Sequence, residues 1–186
     1  MLLDIKQYGD PVLRAVSKPV ETVDDSLREL AANMLETMYE ANGIGLAAPQ
    51  VGVNLRLVVI DTQDDEPAEN EEPETAIVNG EVRPVADIMP LVFINPTLHP
   101  YGKQQLFTEG CLSVHEIRSN VSRLDHVKAT LPQLDGSVLE IDCGGLLARC
   151  LQHECDHLDG FLFTDRVSSA AKLTLKKKLQ RLAQWR

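Results

Sequence analysis

Gln152-His153-Glu154-Cys155-Asp156-His157-Leu158-Asp159-Gly160 contains residues whose types and spacing could hold a metal ion. His153 and His157 are four apart. On a helix of 3.6 residues per turn both imidazoles leave one face, where they can reach one ion. Glu154 stands beside the first histidine, placed to exchange a proton with metal-activated water and badly placed to ligate. A solvated helix face carrying two histidines is the plain alternative. The chain has only five His, and two of them at this spacing around a Glu favour the metal site.

A catalytic site of this kind needs three protein ligands and one open position. One class of His-Glu-x-x-His metalloproteases would require a His three residues after Gly160, where this chain has Phe163; another requires a downstream Glu, and none follows Glu154. Asp159 and Asp165 lie too near the helix end to reach back easily. Cys150 shares the histidine face but is seven residues from His157, about 10.5 Å along the axis. Metal–ligand bonds of about 2.0–2.3 Å do not span that gap, so Cys150 reads as a small apolar wall residue. Cys155 points away from the face and Cys143 belongs to a strand. Cys111 remains, in Glu109-Gly110-Cys111-Leu112-Ser113, where Gly110 frees the backbone and a loop thiol can ionise on coordination. A buried structural cysteine is the commoner fate of such a residue, and His99, His115 and His126 stand as rival ligands.

The elements that must position these groups fit one domain, 1–186, whose 44% hydrophobic and 25% charged residues are those of an ordinary globular protein. No apolar run reaches eighteen residues, so no membrane span or membrane partner is expected. The start, Met1-Leu2-Leu3-Asp4-Ile5-Lys6, has the form of neither a signal nor a transit peptide, which implies a cytoplasmic protein. Four cysteines without a C-x-x-C pair argue against a disulfide framework. The net charge of −10 argues against binding nucleic acid through the whole surface. It is unevenly spread: residues 61–81 carry nine acids and no Lys or Arg, and the end of the chain is basic.

After turn signals at Gly9-Asp10-Pro11 and Lys18-Pro19, a helix begins near Asp25-Ser26, with Ser26 and Glu29 at capping-box spacing. Leu27, Leu30, Ala31, Met34, Leu35 and Met38 form its buried stripe, and Asn42-Gly43 ends it with a left-handed cap, which accounts for Gly43. Gly43-Ile44-Gly45-Leu46-Ala47-Ala48-Pro49-Gln50 has almost no side-chain bulk; close approach of a ligand and a crowded packing site explain it equally well. Strands are expected at 56–61, 91–95, 103–107, 118–123, 126–131 and 138–142, with an acidic surface insertion at about 62–84 that ends in an Asn79-Gly80 hairpin. Gly144-Gly145 opens the helix of the His pair, and a last helix spans about 168–183. The whole is an α+β domain, with mixed or antiparallel strands around a central metal-motif helix and a C-terminal helix.

Three motifs in this order, the segment Gly43–Gln50, Glu109-Gly110-Cys111-Leu112-Ser113 and Gln152–Gly160, resemble the bacterial peptide deformylases. The likeness extends over nearly the whole chain, and the terminal helix resembles the type 1 branch. It implies a hydrolase of protein biosynthesis that removes the formyl group from the N-terminal methionine of nascent polypeptides and releases formate. The implied metal ligands are Cys111, His153 and His157, holding Fe(II), with Zn(II), Ni(II) or Co(II) as substitutes. Metal-bound hydroxide would attack the formyl carbon, with Glu154 as general base and acid. The Leu112 backbone N–H and the Gln50 amide would stabilise the oxyanion. Ile44, Gly45 and Gly110 would pair with the substrate backbone, and Leu146 and Cys150 would line the methionine pocket. Glu109 and Arg118 read as a supporting pair behind the metal loop. His115 stands where many members have proline, and the insertion is longer than usual; neither touches a residue given a catalytic role. A hydrolase of another acyl or amide bond, and a binding module with a structural metal, are the rival readings. The lysines of the last helix offer a transient contact with the ribosome, although a solvated face over a leucine stripe is the simpler account.

Overall fold

The first helix, α1 (Asp25–Glu40), buries Leu27, Ala31, Met34 and Met38, the stripe expected from its spacing. Its cap is Asp24 and not Ser26: Asp24 Oδ1 accepts from the Leu27 N–H at 2.9 Å and from the Ser26 hydroxyl at 2.7 Å. A carboxylate at the positive end of the helix outcompetes the neighbouring hydroxyl for that role. At the other end Asn42, φ 52°, takes the left-handed position assigned to Gly43. The Asn42 N–H donates to Tyr39 O and the Gly43 N–H to Met38 O, the paired bonds of a Schellman ending. Gly43 has another reason to be glycine: a Cβ there would come within 2.7 Å of the Leu112 side chain.

This computed structural model describes residues 1–62 and 73–184, so the first half of the acidic insertion, 63–72, lies outside the described residues. Among the described residues eight strands follow α1 and form two antiparallel sheets: β1 (Gly45–Ala47), β2 (Leu57–Ile60), β3 (Thr75–Val78), β4 (Glu81–Pro84), β5 (Leu91–Ile94), β6 (Thr97–Cys111), β7 (Val114–Pro132) and β8 (Val138–Cys143). The three-stranded sheet runs β1-β2-β5 and the five-stranded sheet β4-β3-β8-β7-β6. The expected strands 118–123 and 126–131 are one continuous strand, β7, and 103–107 is part of the longer β6. Polar Asp125 looks like a break in sequence, but its carboxylate accepts the Lys103 N–H at 2.8 Å and carries the ladder past the register shift between Tyr101 and Gln104.

The described part of the insertion forms a hairpin. Asn79 (φ 50°) and Gly80 (φ 87°) turn β3 into β4 as expected of Asn-Gly, and β3 then pairs with β8. Between the sheets runs α2 (Gly145–Leu158), which carries both histidines and buries Leu147, Ala148, Leu151 and Leu158 against Val58, Ile60, Val78, Phe93 and Val127. The chain closes with a short turn of helix, α3 (Phe163–Arg166), and α4 (Ser169–Gln184), which buries Leu175 beside Leu13, Val121 and Phe163. No helix among the described residues is long and apolar enough to cross a membrane.

Candidate metal centre

The hairpin turn from β6 to β7 brings Cys111 to the histidine face of α2. The ligand atoms of Cys111, His153 and His157 lie within 4.8 Å of one another, and Cys111 Sγ is 3.3 Å from His157 Nε2. None of the rival histidines joins them. His126 sits against Asp125 and Tyr101, His115 beside Glu116, and His99 on the exposed hairpin.

Behind the donors is a buried chain of charges. His153 Nδ1 lies 3.0 Å from Glu109 Oε2. An ionised carboxylate only accepts, so this contact places the proton on Nδ1 and leaves Nε2 free to ligate. Glu109 is gripped on both oxygens by Arg123 (2.6 and 3.0 Å) and on one by Arg149 (3.0 Å); Arg123 also reaches Asp156 at 2.8 Å, which Arg166 holds from the far side. Burial alone would raise the Glu109 pKa, but the bonds to His153 and Arg123 hold it down to about 2. The partner of Glu109 is therefore Arg123. The expected Arg118 is exposed at the rim of the cleft. The signal for Arg123 was strand parity, since it alternates with Val121 on the face of β7 that turns inward. An arginine on an inward parity needs a buried carboxylate.

The donor set fits a cation. Burial opposes charge on His153, yet Cys111 and Glu109 flank the ring and keep its pKa well above the usual value, so the site favours positive charge there. Burial holds His157 neutral, the form that ligates. Glu154 is buried next to this group, its Oε2 has no partner, and burial raises its pKa to about 7, which suits a group that must both take and give a proton.

Gln50 closes the site from the other side. Its Oε1 accepts the Ala47 N–H at 2.8 Å, which turns its amide nitrogen toward Cys111 Sγ (3.5 Å) and Ser113 Oγ (3.2 Å). Gly45 must be glycine because a Cβ would come within 2.4 Å of Glu154 Oε1. Cys150 donates its thiol to Ile44 O at 3.6 Å, and burial keeps that thiol un-ionised, as an apolar wall residue should be.

A cleft of about 680 Å³ opens over these groups, lined by Ile44, Gly45, Gln50, Gly110, Cys111, Leu112, Leu146, Cys150, His153 and Glu154 among others. Its walls are two sheet edges, β1 on one side and the end of β6 on the other. Every residue expected to act lines this cleft except His157, which is buried beneath it.

A family model described as polypeptide deformylase matches residues 2–173. A peptide deformylase of Stutzerimonas stutzeri is 43% identical over 97% of this chain and 96% of its own length, and one of Novosphingobium aromaticivorans is 46% identical over 96% of each. Among solved structures, a peptide deformylase from Legionella pneumophila superposes with a TM-score of 0.80 at 37% identity, covering 99% of this chain and 96% of that one.

Proposed function

Because the chain belongs to the polypeptide deformylase family, we propose a role for each residue of its cleft in the reaction of that family. The enzyme removes the formyl group from the N-terminal methionine of newly made polypeptides, releasing formate. Cys111, His153 and His157 hold the metal, and the observation that carries this reading is their convergence beside buried Glu154, whose Oε2 has no partner among the described residues.

When bound, the metal supplies Lewis-acid chemistry that lowers the pKa of water from about 15.7 toward about 7. Glu154 accepts the proton that water loses as its oxygen bonds to the formyl carbon. It returns that proton to the nitrogen as the carbon–nitrogen bond breaks, so formate and a free amino terminus leave. The Gln50 amide nitrogen, fixed in direction by Ala47, and the Leu112 backbone N–H donate to the oxygen that gains charge. Ile44 and Gly45 on one edge and Gly110 on the other take the substrate as an added strand, and its side chain enters between Leu146 and Cys150. Fe(II) is the proposed physiological ion, with Zn(II), Ni(II) or Co(II) able to replace it; a thiolate beside Fe(II) makes the enzyme sensitive to oxygen and peroxide. The cytoplasm is the proposed location, and α4, with Lys172, Lys176, Lys177, Lys178 and Arg181, the proposed transient ribosome contact. Loss of residues 172–186 with unchanged ribosome co-sedimentation would remove that contact from the scheme.

The test is formate release from a formyl-Met tripeptide by protein purified anaerobically with Fe(II), beside Glu154→Ala. The expected result is release by the wild type and its loss, by a factor of about 10²–10⁴, in a variant that still holds metal. Activity surviving in that variant would remove Glu154 from the proton path, and no release from a metal-filled wild type would overturn the assignment of the site.

A further inference from the structure

The metal-bearing helix α2 begins without a cap of its own. Its N-cap is Gly144, which has no side chain, so the first amides have no local acceptor. The Glu74 carboxylate, from the segment that leads into β3, sits over this end of the helix with its Oε1 against Gly145. Glu74 is itself anchored, because its backbone oxygen accepts the Val85 N–H at 2.8 Å and closes the hairpin β3–β4. Gly145 leaves room for the carboxylate. It has φ +56°, and a Cβ there would come within 2.0 Å of Glu74 Oε1. The hairpin also packs Ala76 and Val78 into the cluster that holds Leu147, Ala148 and Leu151.

Leu146, next to Gly145 in that first turn, lines the cleft and is 40% exposed there. We propose that Glu74 is a positioning residue for substrate selectivity: by capping the first turn of α2 it fixes Leu146 at the mouth of the side-chain pocket. A carboxylate at a helix N-terminus satisfies orphan amides and opposes the positive end of the dipole. The chemistry sits two turns further along the same helix, so the effect falls on recognition of the first side chain. The inference rests on the assignment of Leu146 to that pocket.

The experiment measures kcat and KM for formyl-Met and formyl-Ala tripeptides with wild type, Glu74→Ala, Glu74→Gln and Leu146→Ala, together with amide exchange at Leu146 and Leu147. In Glu74→Ala the preference for Met over Ala is expected to fall about three- to tenfold, the factor that corresponds to one lost cap. The change should lie in KM, with kcat for formyl-Met within about twofold, and both amides should exchange faster. Glu74→Gln, which keeps an acceptor oxygen, should restore most of the preference. A lower melting temperature with unchanged preference, or unchanged exchange, would reduce Glu74 to a structural contact and overturn the proposal. If Leu146→Ala leaves the preference intact, the pocket assignment fails; if Leu146→Ala alters it and Glu74→Ala does not, only the role of Glu74 fails.

Discussion

Replacing Arg123 with methionine keeps the length of the side chain and removes its charge from a place where two carboxylates depend on it. Arg123 is 5% exposed; it grips both oxygens of Glu109 and one of Asp156. Breaking a buried ion pair from one side costs about 3–5 kcal/mol. Glu109 keeps Arg149 and Asp156 keeps Arg166, so the lower half of that range applies. In a domain of this size about 1 kcal/mol moves the melting temperature by about 2–4 °C, which predicts a fall of roughly 6–16 °C. The metal should feel the change as well, because Glu109 sets the proton and orientation of His153. Loss of such support typically costs about 10–100-fold in metal affinity. The assay is thermal unfolding in the presence of chelator, followed by zinc affinity from chelator competition, with Arg118→Ala as the reference. Arg118 is exposed, and its removal should change stability by no more than about 0.5 kcal/mol and leave zinc affinity alone. The reasoning is refuted if Arg123→Met melts within about 2 °C of wild type and binds zinc within about twofold, or if Arg118→Ala loses as much affinity.

Three further outcomes follow from the same geometry. Gly45→Ala puts a Cβ within 2.4 Å of Glu154 Oε1, so the carboxylate must move by about an ångström; kcat should fall about a hundredfold while metal content is unchanged, and unimpaired turnover would mean that Glu154 does not act from this position. Cys111→Ser exchanges an ionisable thiol for a hydroxyl that stays protonated, so equilibrium dialysis should show metal affinity lower by at least about a hundredfold in a protein that still folds; tight binding would return the third ligand to another residue. Glu109 has a folded pKa of about 2 against an ordinary 4.5, so its ionised form contributes stability that is fully present above about pH 4.5 and is lost as pH falls toward 2. In metal-free protein the stability difference between wild type and Glu109→Gln should therefore shrink across that window, and a difference that stays constant would contradict the buried network.

Much of this could be read from sequence because it depends on local spacing. The His153/His157 pair, the α1 stripe and the Asn79-Gly80 hairpin each follow from one element's own periodicity or turn chemistry. What could not be read depends on partners distant in the chain. Asp24 and Ser26 are both good caps, and spacing alone does not show which of them the positive end of the helix takes. Gly45 is small because Glu154, 109 residues later, occupies the space, and no property of the segment Gly43–Gln50 announces that. Arg118 and Arg123 differ in strand parity, and the alternation of Val121 and Arg123 could have identified the inward one. That clue was obscured because the bulge around Glu116, φ 57°, breaks the register just before it. The charge of the insertion gives no sign that Ala76 and Val78, near its end, lie in the core.

One helix divides recognition from chemistry along its length. Leu146, Cys150, His153 and His157 follow one another at intervals of four, three and four residues, so they form a single stripe on α2. The first two are an apolar pair at the cleft, and the last two are donors in the metal group. Seven residues, about 10.5 Å, separate Leu146 from His153 and Cys150 from His157. Each half is braced by a different part of the chain: Glu74 and the β3–β4 hairpin at the start, Glu109 and Arg123 from the β6–β7 hairpin at the end. Sites more than about 7–10 Å apart with no shared partner respond almost independently. Substitutions around Glu74 should therefore change which side chain is accepted and leave metal affinity alone, and substitutions around Arg123 should do the reverse. A double variant, Glu74→Ala with Arg123→Met, should show the two losses multiplied; a marked departure from that product would mean that α2 responds as one rigid unit and that the division proposed for it does not exist.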